Sequence, residues 1–514
     1  MVGGNNHLPQ IDHGHWLSCP RMSRVPSGLT PILAIDRKTR KPLHRQIYDA
    51  YRAAIVDGRL RPGQRIPSTR VLASELGLSR FPVLNAYSQL LAEGYFTSRV
   101  GAGTVVSKSL PDHFGLSAPT GSKPTITSSG PRPVASRCAL LPKLHVSPWL
   151  LGWGAFGVGQ VAVDQFPTHL WANLVTQHVR KMETKSFHYG EGMGSLSLRQ
   201  TIASYLKTAR SLHCEAEQIM IVSGSQQALE ISARVLLDPG SKLWMEEPGY
   251  PMAREVFSLA GAQLIPVPVD QEGLDVAAGI KLCPKARAAY VTPSHQFPLG
   301  HTMSASRRMQ LLDWAQRSGS WIIEDDYDSE YRYESLPIAS VQGIDNNSRV
   351  IYIGTFSKVV FPSLRLGYVV VPPDLVDRFL GFRRIIDLSP VTLYQEVLAD
   401  FIREGHFARH IRRMRVLYHE RRISLVESIE KELGSMVEVL GSEAGMHLTI
   451  VLPRRSRDVE IARRAAQQNL WIWPLSLAYL GETSQPGFIL GFGSVKVEEI
   501  PDAVHKLRAL LVTK

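Results

Sequence analysis

The sequence predicts a chain in two parts: a small winged helix-turn-helix followed by a large α/β domain with a mostly parallel sheet. Three observations carry this. A short basic segment near the N-terminus reads as helix, helix, Gly turn, helix and hairpin. A Pro/Ser/Gly/Thr stretch without periodicity follows it. From about Pro148 onward, short apolar strands alternate with amphipathic helices, the pattern of a parallel sheet covered by helices.

At 514 residues the chain is too long for one domain, and its 44% hydrophobic content supports a large core. No apolar run approaches the ~18 residues of a membrane helix, and the first twenty residues lack the apolar stretch of a signal peptide. Four scattered cysteines show no CxxC spacing, so neither a zinc site nor a disulfide framework is indicated. A cytoplasmic protein without a metal is expected. The net charge of +12 is uneven. Arg37 to Lys108 holds thirteen Lys/Arg against four Asp/Glu, a net +9 in about a seventh of the chain. A compact basic module on a nearly neutral body suggests a nucleic-acid partner, which the helix-turn-helix pattern makes double-stranded DNA.

The elements follow in order. Residues 1–35 read as a flexible arm and 36–108 as the DNA-binding domain. A first helix is predicted from Pro42 to Val56, with Leu43, Ile47, Ala50 and Ala54 on one face. Ser68 can cap a second, Thr69 to Leu76. Gly77-Leu78-Ser79 forms the turn. A third helix runs from about Phe81 to Glu93, with Ala86, Leu90 and Leu91 inward. Tyr95 to Arg99 and Thr104 to Val106 read as a hairpin through a Gly-rich tip. In such a motif the second helix of the pair enters the major groove. Residues 109–147 form a linker, and 148–514 the large domain.

In the large domain, strands are predicted at Ile219–Val222, Leu243–Met245, Gln263–Val267, Ala288–Val291 and Trp321–Ile323. Helices are predicted at Gln226–Leu237 and Ser304–Ser318. Ligands of such folds sit beyond the carboxyl ends of the strands. Ser223-Gly224-Ser225-Gln226 at a strand-to-helix turn can offer backbone N–H groups to a phosphate. Tyr250, in Glu247-Pro248-Gly249-Tyr250-Pro251, can stack on a ring. Glu324-Asp325-Asp326-Tyr327-Asp328 follows a strand end, where a carboxylate can pair with a protonated pyridine nitrogen. Lys358 lies between the apolar runs Val350–Ile353 and Tyr368–Val371, with Thr355, Ser357 and Arg365 near it. A lysine in partly apolar surroundings loses its proton readily and can form a Schiff base. Together these are what pyridoxal 5'-phosphate needs.

Residues Pro42 to Val106 resemble the GntR-type DNA-binding domain, through Ile66-Pro67-Ser68-Thr69-Arg70, Leu76-Gly77-Leu78-Ser79-Arg80, Asn85-Ala86-Tyr87, Glu93-Gly94 and Gly101-Ala102-Gly103-Thr104. The resemblance implies DNA contacts by Arg70, Arg80 and the wing tip, Gly101 and Gly103. Pro82 stands where the family has a threonine, which removes one hydroxyl contact. The large domain resembles the fold-type I aminotransferases over about 360 residues, including Tyr189-Gly190-Glu191-Gly192-Met193-Gly194 with Leu198-Arg199. That resemblance implies phosphate binding by Ser225, Gln226, Thr355, Ser357 and Arg365. It implies stacking by Tyr250, a pyridine-nitrogen contact by Asp325, a phenolic-oxygen contact by Tyr327 and an internal aldimine at Lys358.

The two halves together resemble the MocR subfamily of GntR regulators, with Thr292-Pro293-Ser294-His295-Gln296-Phe297-Pro298-Leu299-Gly300 close to its pattern. Phe297 replaces the aminotransferase asparagine that touches the phenolic oxygen, so His295 or Gln296 is a candidate substitute. Ile489 stands where aminotransferases have the arginine that clamps the substrate carboxylate. Either another residue such as Arg254 binds a carboxylate, or the effector lacks one, or pyridoxal phosphate itself is the signal. The resemblance implies a homodimeric regulator that senses pyridoxal phosphate or an amine, amino-acid or vitamin B6 effector. Any transaminase activity is expected to be weak or absent. The alternatives are a working aminotransferase tethered to DNA and a repressor independent of the cofactor.

Overall fold

The structure, a computed structural model, describes residues 35–99, 103–110, 133, 135–136, 138, 147–333, 339–481 and 484–512. Nearly all of the expected arm and most of the expected linker lie outside these residues. The chain divides into two compact units, Met1–Pro131 and Arg132–Lys514.

In the first unit, α1 (Leu43–Val56) buries Ile47, Tyr51, Ala54 and Ile55 along one stripe. The Ser68 hydroxyl caps α2 (Thr69–Glu75) by accepting from Val71 N at 3.3 Å. Gly77, at φ +61°, makes the turn into α3 (Arg80–Ala92). Ser79 occupies the N-cap position of α3, but its side chain makes no capping bond. Val83, Ala86, Tyr87 and Leu90 face inward. Leu91 does not, being 37% exposed, contrary to expectation. At 100° per residue it lies off the stripe those four residues define. Tyr51, Tyr87 and Phe96 meet edge to face, with centroids 5.3–5.7 Å apart. The hairpin β2 (Phe96–Arg99) and β3 (Gly103–Val106) gains a third strand, β1 (Arg65–Ile66), on its β3 edge. Two residues are too few for an alternation to show in sequence.

The second unit holds an eight-stranded sheet. In chain order its strands are β4 (Ile219–Val222), β5 (Lys242–Glu247), β6 (Gln263–Asp270), β7 (Gly273–Leu274), β8 (Ala288–Val291), β9 (Trp321–Asp326), β10 (Val350–Thr355) and β11 (Gly367–Val370). They lie side by side as β4-β11-β10-β9-β8-β5-β6-β7. β10, β9, β8, β5 and β6 run parallel, whereas β11 is antiparallel to both β10 and β4, and β7 turns back on β6. β4, β8, β10 and β11 are buried throughout, which is why they read as continuous apolar runs. The Gly-rich segment before β4 packs onto it. A Cβ on Gly194, at φ +94°, would lie 2.6 Å from Ile221 Cγ1.

A second sheet, antiparallel, comprises β12 (Glu438–Leu440), β13 (His447–Val451), β14 (Trp473–Pro474) and β15 (Gly487–Gly491), in the order β12-β13-β15-β14. It was not expected. Its two outer strands, β12 and β14, have three residues and two. No described helix is long and apolar enough to cross a membrane.

Candidate functional site

Five turns at the carboxyl ends of β4, β5, β8, β9 and β10 surround a cavity of about 370 Å³. All nine residues expected at the cofactor line it: Ser225, Gln226, Tyr250, Asp325, Tyr327, Thr355, Ser357, Lys358 and Arg365. The second sheet adds His447 and Trp473 to the lining, with Met446 just before β13.

Lys358 follows β10 in a loop closed by the hydrogen bond from Phe356 N to Leu366 O, 3.0 Å. Its partly buried Nζ donates to Gly159 O at 2.9 Å. Gly159 has φ +71°, and a Cβ there would lie 2.2 Å from that nitrogen. Burial pushes the Lys358 ammonium below the ordinary lysine range, with Asp328 and then Asp325 opposing. Arg365 adopts the left-handed region at φ +51°. Its Nη2 donates to Ser223 O at 2.8 Å, and the guanidinium covers Gly224, where a Cβ would lie 3.1–3.2 Å from three of its atoms. Gly224, at φ +84°, is the N-cap of helix Ser225–Leu236. The first N–H groups of a helix have no partners within it. They and the Arg365 guanidinium form one positive end of the cavity.

Asp325 lies on β9, and its Oδ2 accepts from the Tyr290 hydroxyl at 2.8 Å. Its Oδ1 is buried without a partner among the described residues, as is Gln226 Nε2. Burial pushes the Asp325 carboxyl up to about 7. Tyr250 occupies the N-cap position of the helix Pro251–Leu259 without a side-chain capping bond and meets Phe297 edge to face, centroids 5.3 Å apart. A positive end, a flat aromatic, and an orphaned carboxylate oxygen fit a phosphorylated pyridine with a protonated ring nitrogen. The lysine fits an aldehyde on that ring.

Neither candidate substitute for the asparagine lines the cavity. Gln296 turns away, donating to Pro248 O at 2.9 Å and Phe297 O at 2.7 Å. His295 Nδ1 lies 3.1 Å from Asp328 Oδ2 and 3.1 Å from the Tyr327 hydroxyl, which donates to His295 O at 2.8 Å. Phe297 reaches the cavity instead. Ile489 is fully buried in β15, opposite Thr449 and Trp473. Arg254 lies outside the lining and donates to Leu477 O at 2.5 Å.

Sequence reasoning missed Tyr290, His447 and Trp473. A tyrosine near the end of an apolar strand and a histidine opening another were the only local signs, and neither names a site. His447 sits fully enclosed, and burial, followed by His295, pushes its imidazole down to about 3.

In the small unit, Arg70 and Arg80 are exposed at the starts of α2 and α3. Arg80 Nε donates to Thr69 Oγ1 at 3.1 Å, which ties the two starts together. Phe81, beside Arg80, is 69% exposed. Gly103 opens β3 at φ +81°, and a Cβ there would lie 3.3 Å from Arg65 Nη2. Gly101 lies outside the described residues.

Two family models match the chain: bacterial regulatory proteins of the gntR family over residues 43–106, and aminotransferase class I and II over residues 155–489. The chain is 39% identical over 483 residues to a probable rhizopine catabolism regulatory protein, MocR, of Rhizobium meliloti, covering 93% of this chain and 95% of that one. It is 31% identical to the pyridoxine biosynthesis transcriptional regulator PdxR of Corynebacterium glutamicum, over 87% of this chain and 91% of the relative. Among solved structures, kynurenine aminotransferase of Pyrococcus horikoshii, crystallised with PMP, superimposes with a TM-score of 0.65 at 28% identity, over 70% of this chain and 90% of that one.

Proposed function

The chain belongs to the MocR-type members of the GntR transcription regulators, and from that premise we propose that pyridoxal 5'-phosphate held at Lys358 makes its DNA binding responsive to an amine, amino-acid or vitamin B6 effector. It is a transcription regulator with an aminotransferase-like domain, and its winged helix-turn-helix is the DNA-binding part. The observation that supports a sensing role for the large domain is the meeting of the nine expected residues around one cavity, with Asp325 Oδ1 left without a partner among the described residues.

Arg365, Ser225, Gln226, Thr355 and Ser357 would hold the phosphate. Tyr250 would cover one face of the ring. Asp325 would keep a proton on the ring nitrogen, and its own carboxyl would then stay ionised against that charge. Bound there, the cofactor supplies an aldehyde that condenses reversibly with primary amines. Lys358, whose ammonium burial pushes below the ordinary lysine range, supplies the resident amine. Without an arginine at position 489, substrate carboxylates have no bidentate clamp there, which supports weak or absent transamination. An effector changes DNA binding only if it favours one arrangement of a homodimeric, cytoplasmic regulator over another.

The test is spectroscopic. Purified protein mixed with pyridoxal 5'-phosphate should show the near-visible absorbance of the lysine-linked cofactor, and Lys358→Ala should abolish it. An unchanged spectrum in the variant would sink the assignment.

A further inference from the structure

We propose that the effector is a primary amine without a carboxylate that carries a second hydrogen-bond donor, as an amino alcohol or a diamine does. This rests on the cofactor reading above and narrows it to a ligand class.

The cavity is positive at one end only. Among its described lining residues the side chains with a permanent or ordinary positive charge are Lys358 and Arg365. Arg365 is bound to Ser223 O and lies over Gly224, at the phosphate end. The wall formed by Met446, His447, Trp473 and Phe297 carries no guanidinium or ammonium. Ile489 stands behind it, sealed within β15.

Apart from the Trp473 indole N–H, which can only donate, the polar groups on that side accept hydrogen bonds. Asp328 lines the cavity, and its carboxylate lies near enough to Lys358 to favour the charged amine. Oδ1 and Oδ2 lie 3.2 and 3.1 Å from His295 Nδ1, and Oδ2 also accepts from Met446 N at 3.1 Å. Two oxygens offer about four lone-pair sites, so capacity remains. His447 Nε2 lies 3.3 Å from Pro298 O, and a carbonyl oxygen can only accept. Nε2 therefore carries the proton, and in a neutral ring Nδ1 is left as an acceptor. Burial keeps the ring neutral. The Tyr327 hydroxyl directs its proton to His295 O.

A ligand carboxylate against this wall would meet a second carboxylate and imidazole lone pairs, with no cation to pair with it. A buried charge so placed is disfavoured. An ammonium or hydroxyl group would meet partners of the right sign.

The experiment uses full-length protein loaded with pyridoxal 5'-phosphate. It is titrated with matched pairs that differ by one carboxylate: ethanolamine against L-serine, and putrescine against L-ornithine. Cofactor absorbance and operator affinity are read separately. The expected result is half-saturation by the amine at a concentration at least about ten-fold below that of its amino acid, in at least one pair. Amino acids acting at equal or lower concentration would overturn the proposal. So would silence from both amines in a protein whose cofactor absorbance disappears in Lys358→Ala, an outcome that leaves the cofactor reading standing. Absence of that absorbance in the wild type overturns both. Asp328→Asn should cut the preference to about three-fold or less. An undiminished preference in that variant, with cofactor bound, removes Asp328 from the argument and counts against the proposal.

Discussion

Arg70 and Arg80 stand in water at the ends of two short helices, whereas Lys358, Asp325 and His447 are enclosed around a cavity. Both regions depend on charge, but water decides how that charge acts. The exposed guanidinium groups are hydrated, and their attraction to phosphate is screened by salt. The enclosed groups lose hydration, and burial is the first cause of every shift at Lys358, Asp325 and His447. One unit is expected to answer to ionic strength, and the other to proton and ligand chemistry.

The sharpest break of this contrast is Lys358→Ala. It should remove cofactor absorbance and effector response completely while the salt dependence of operator binding stays as in the wild type. Equal loss of DNA binding by a folded variant would mean that the two regions are not separable.

Arg80→Ala should weaken operator binding by about 10- to 100-fold if the arginine reads a base edge. A phosphate contact would instead lower the slope of log affinity against log salt by about 1. Cofactor absorbance should not change. If operator binding is intact in both respects, α3 is not the recognition helix.

Asp325→Asn tests the enclosed side without ligand. The folded carboxyl titrates near 7 against an ordinary 3.8, so the folded state holds a proton that the unfolded chain has lost. Stability from this group is present below the ordinary value and falls as pH rises through 7. The cofactor-free variant should therefore gain on the wild type as pH rises from about 5 to about 8, by up to about 1.4 kcal/mol per pH unit. His447 works the other way. Its pKa is depressed to about 3, so its contribution is lost as pH falls from 6.5 toward that value. Thermal melts across pH, repeated in high salt, measure both. A pH trend in the variant identical to wild type would show that Asp325 is not desolvated.

The smallest effect is expected at the wing. Gly103→Ala places a side chain at φ +81° and against Arg65, and should cost on the order of 1 kcal/mol of small-unit stability. Loss of operator affinity well beyond that cost would point to a direct role for the wing.

The small unit was legible almost whole, because its helices and hairpin follow one another closely in the chain. Its Ser68 cap, its Gly77 turn and its apolar stripes are local features. The errors were local too: Leu91 on the wrong face, and β1 too short to announce itself. In the large unit, four of the five site-bearing loops could be read because each follows an apolar strand and carries a residue type suited to one part of the cofactor, and the fifth, Thr292 to Gly300, was read from its likeness to the MocR pattern. Tyr290 and His447 could not be assigned that way. A tyrosine in an apolar strand is ordinarily core, and nothing near it in sequence indicates Asp325. His447 and Trp473 come from a second sheet, whose own strands pair across long intervening segments.

By itself, then, the sequence determined the two-unit order, the helix-turn-helix of the basic small unit and the set of groups around Lys358. These follow from local periodicity, turn chemistry and residue type. The tertiary structure alone decided that Asp325 keeps an oxygen unpartnered among the described residues, that His295 and Gln296 turn away, and that a wall of Phe297, Met446, His447 and Trp473 lines the cavity in front of Ile489. Burial and hydrogen-bond direction are properties of packed neighbours, and packing between two sheets is not encoded in any one stretch of chain.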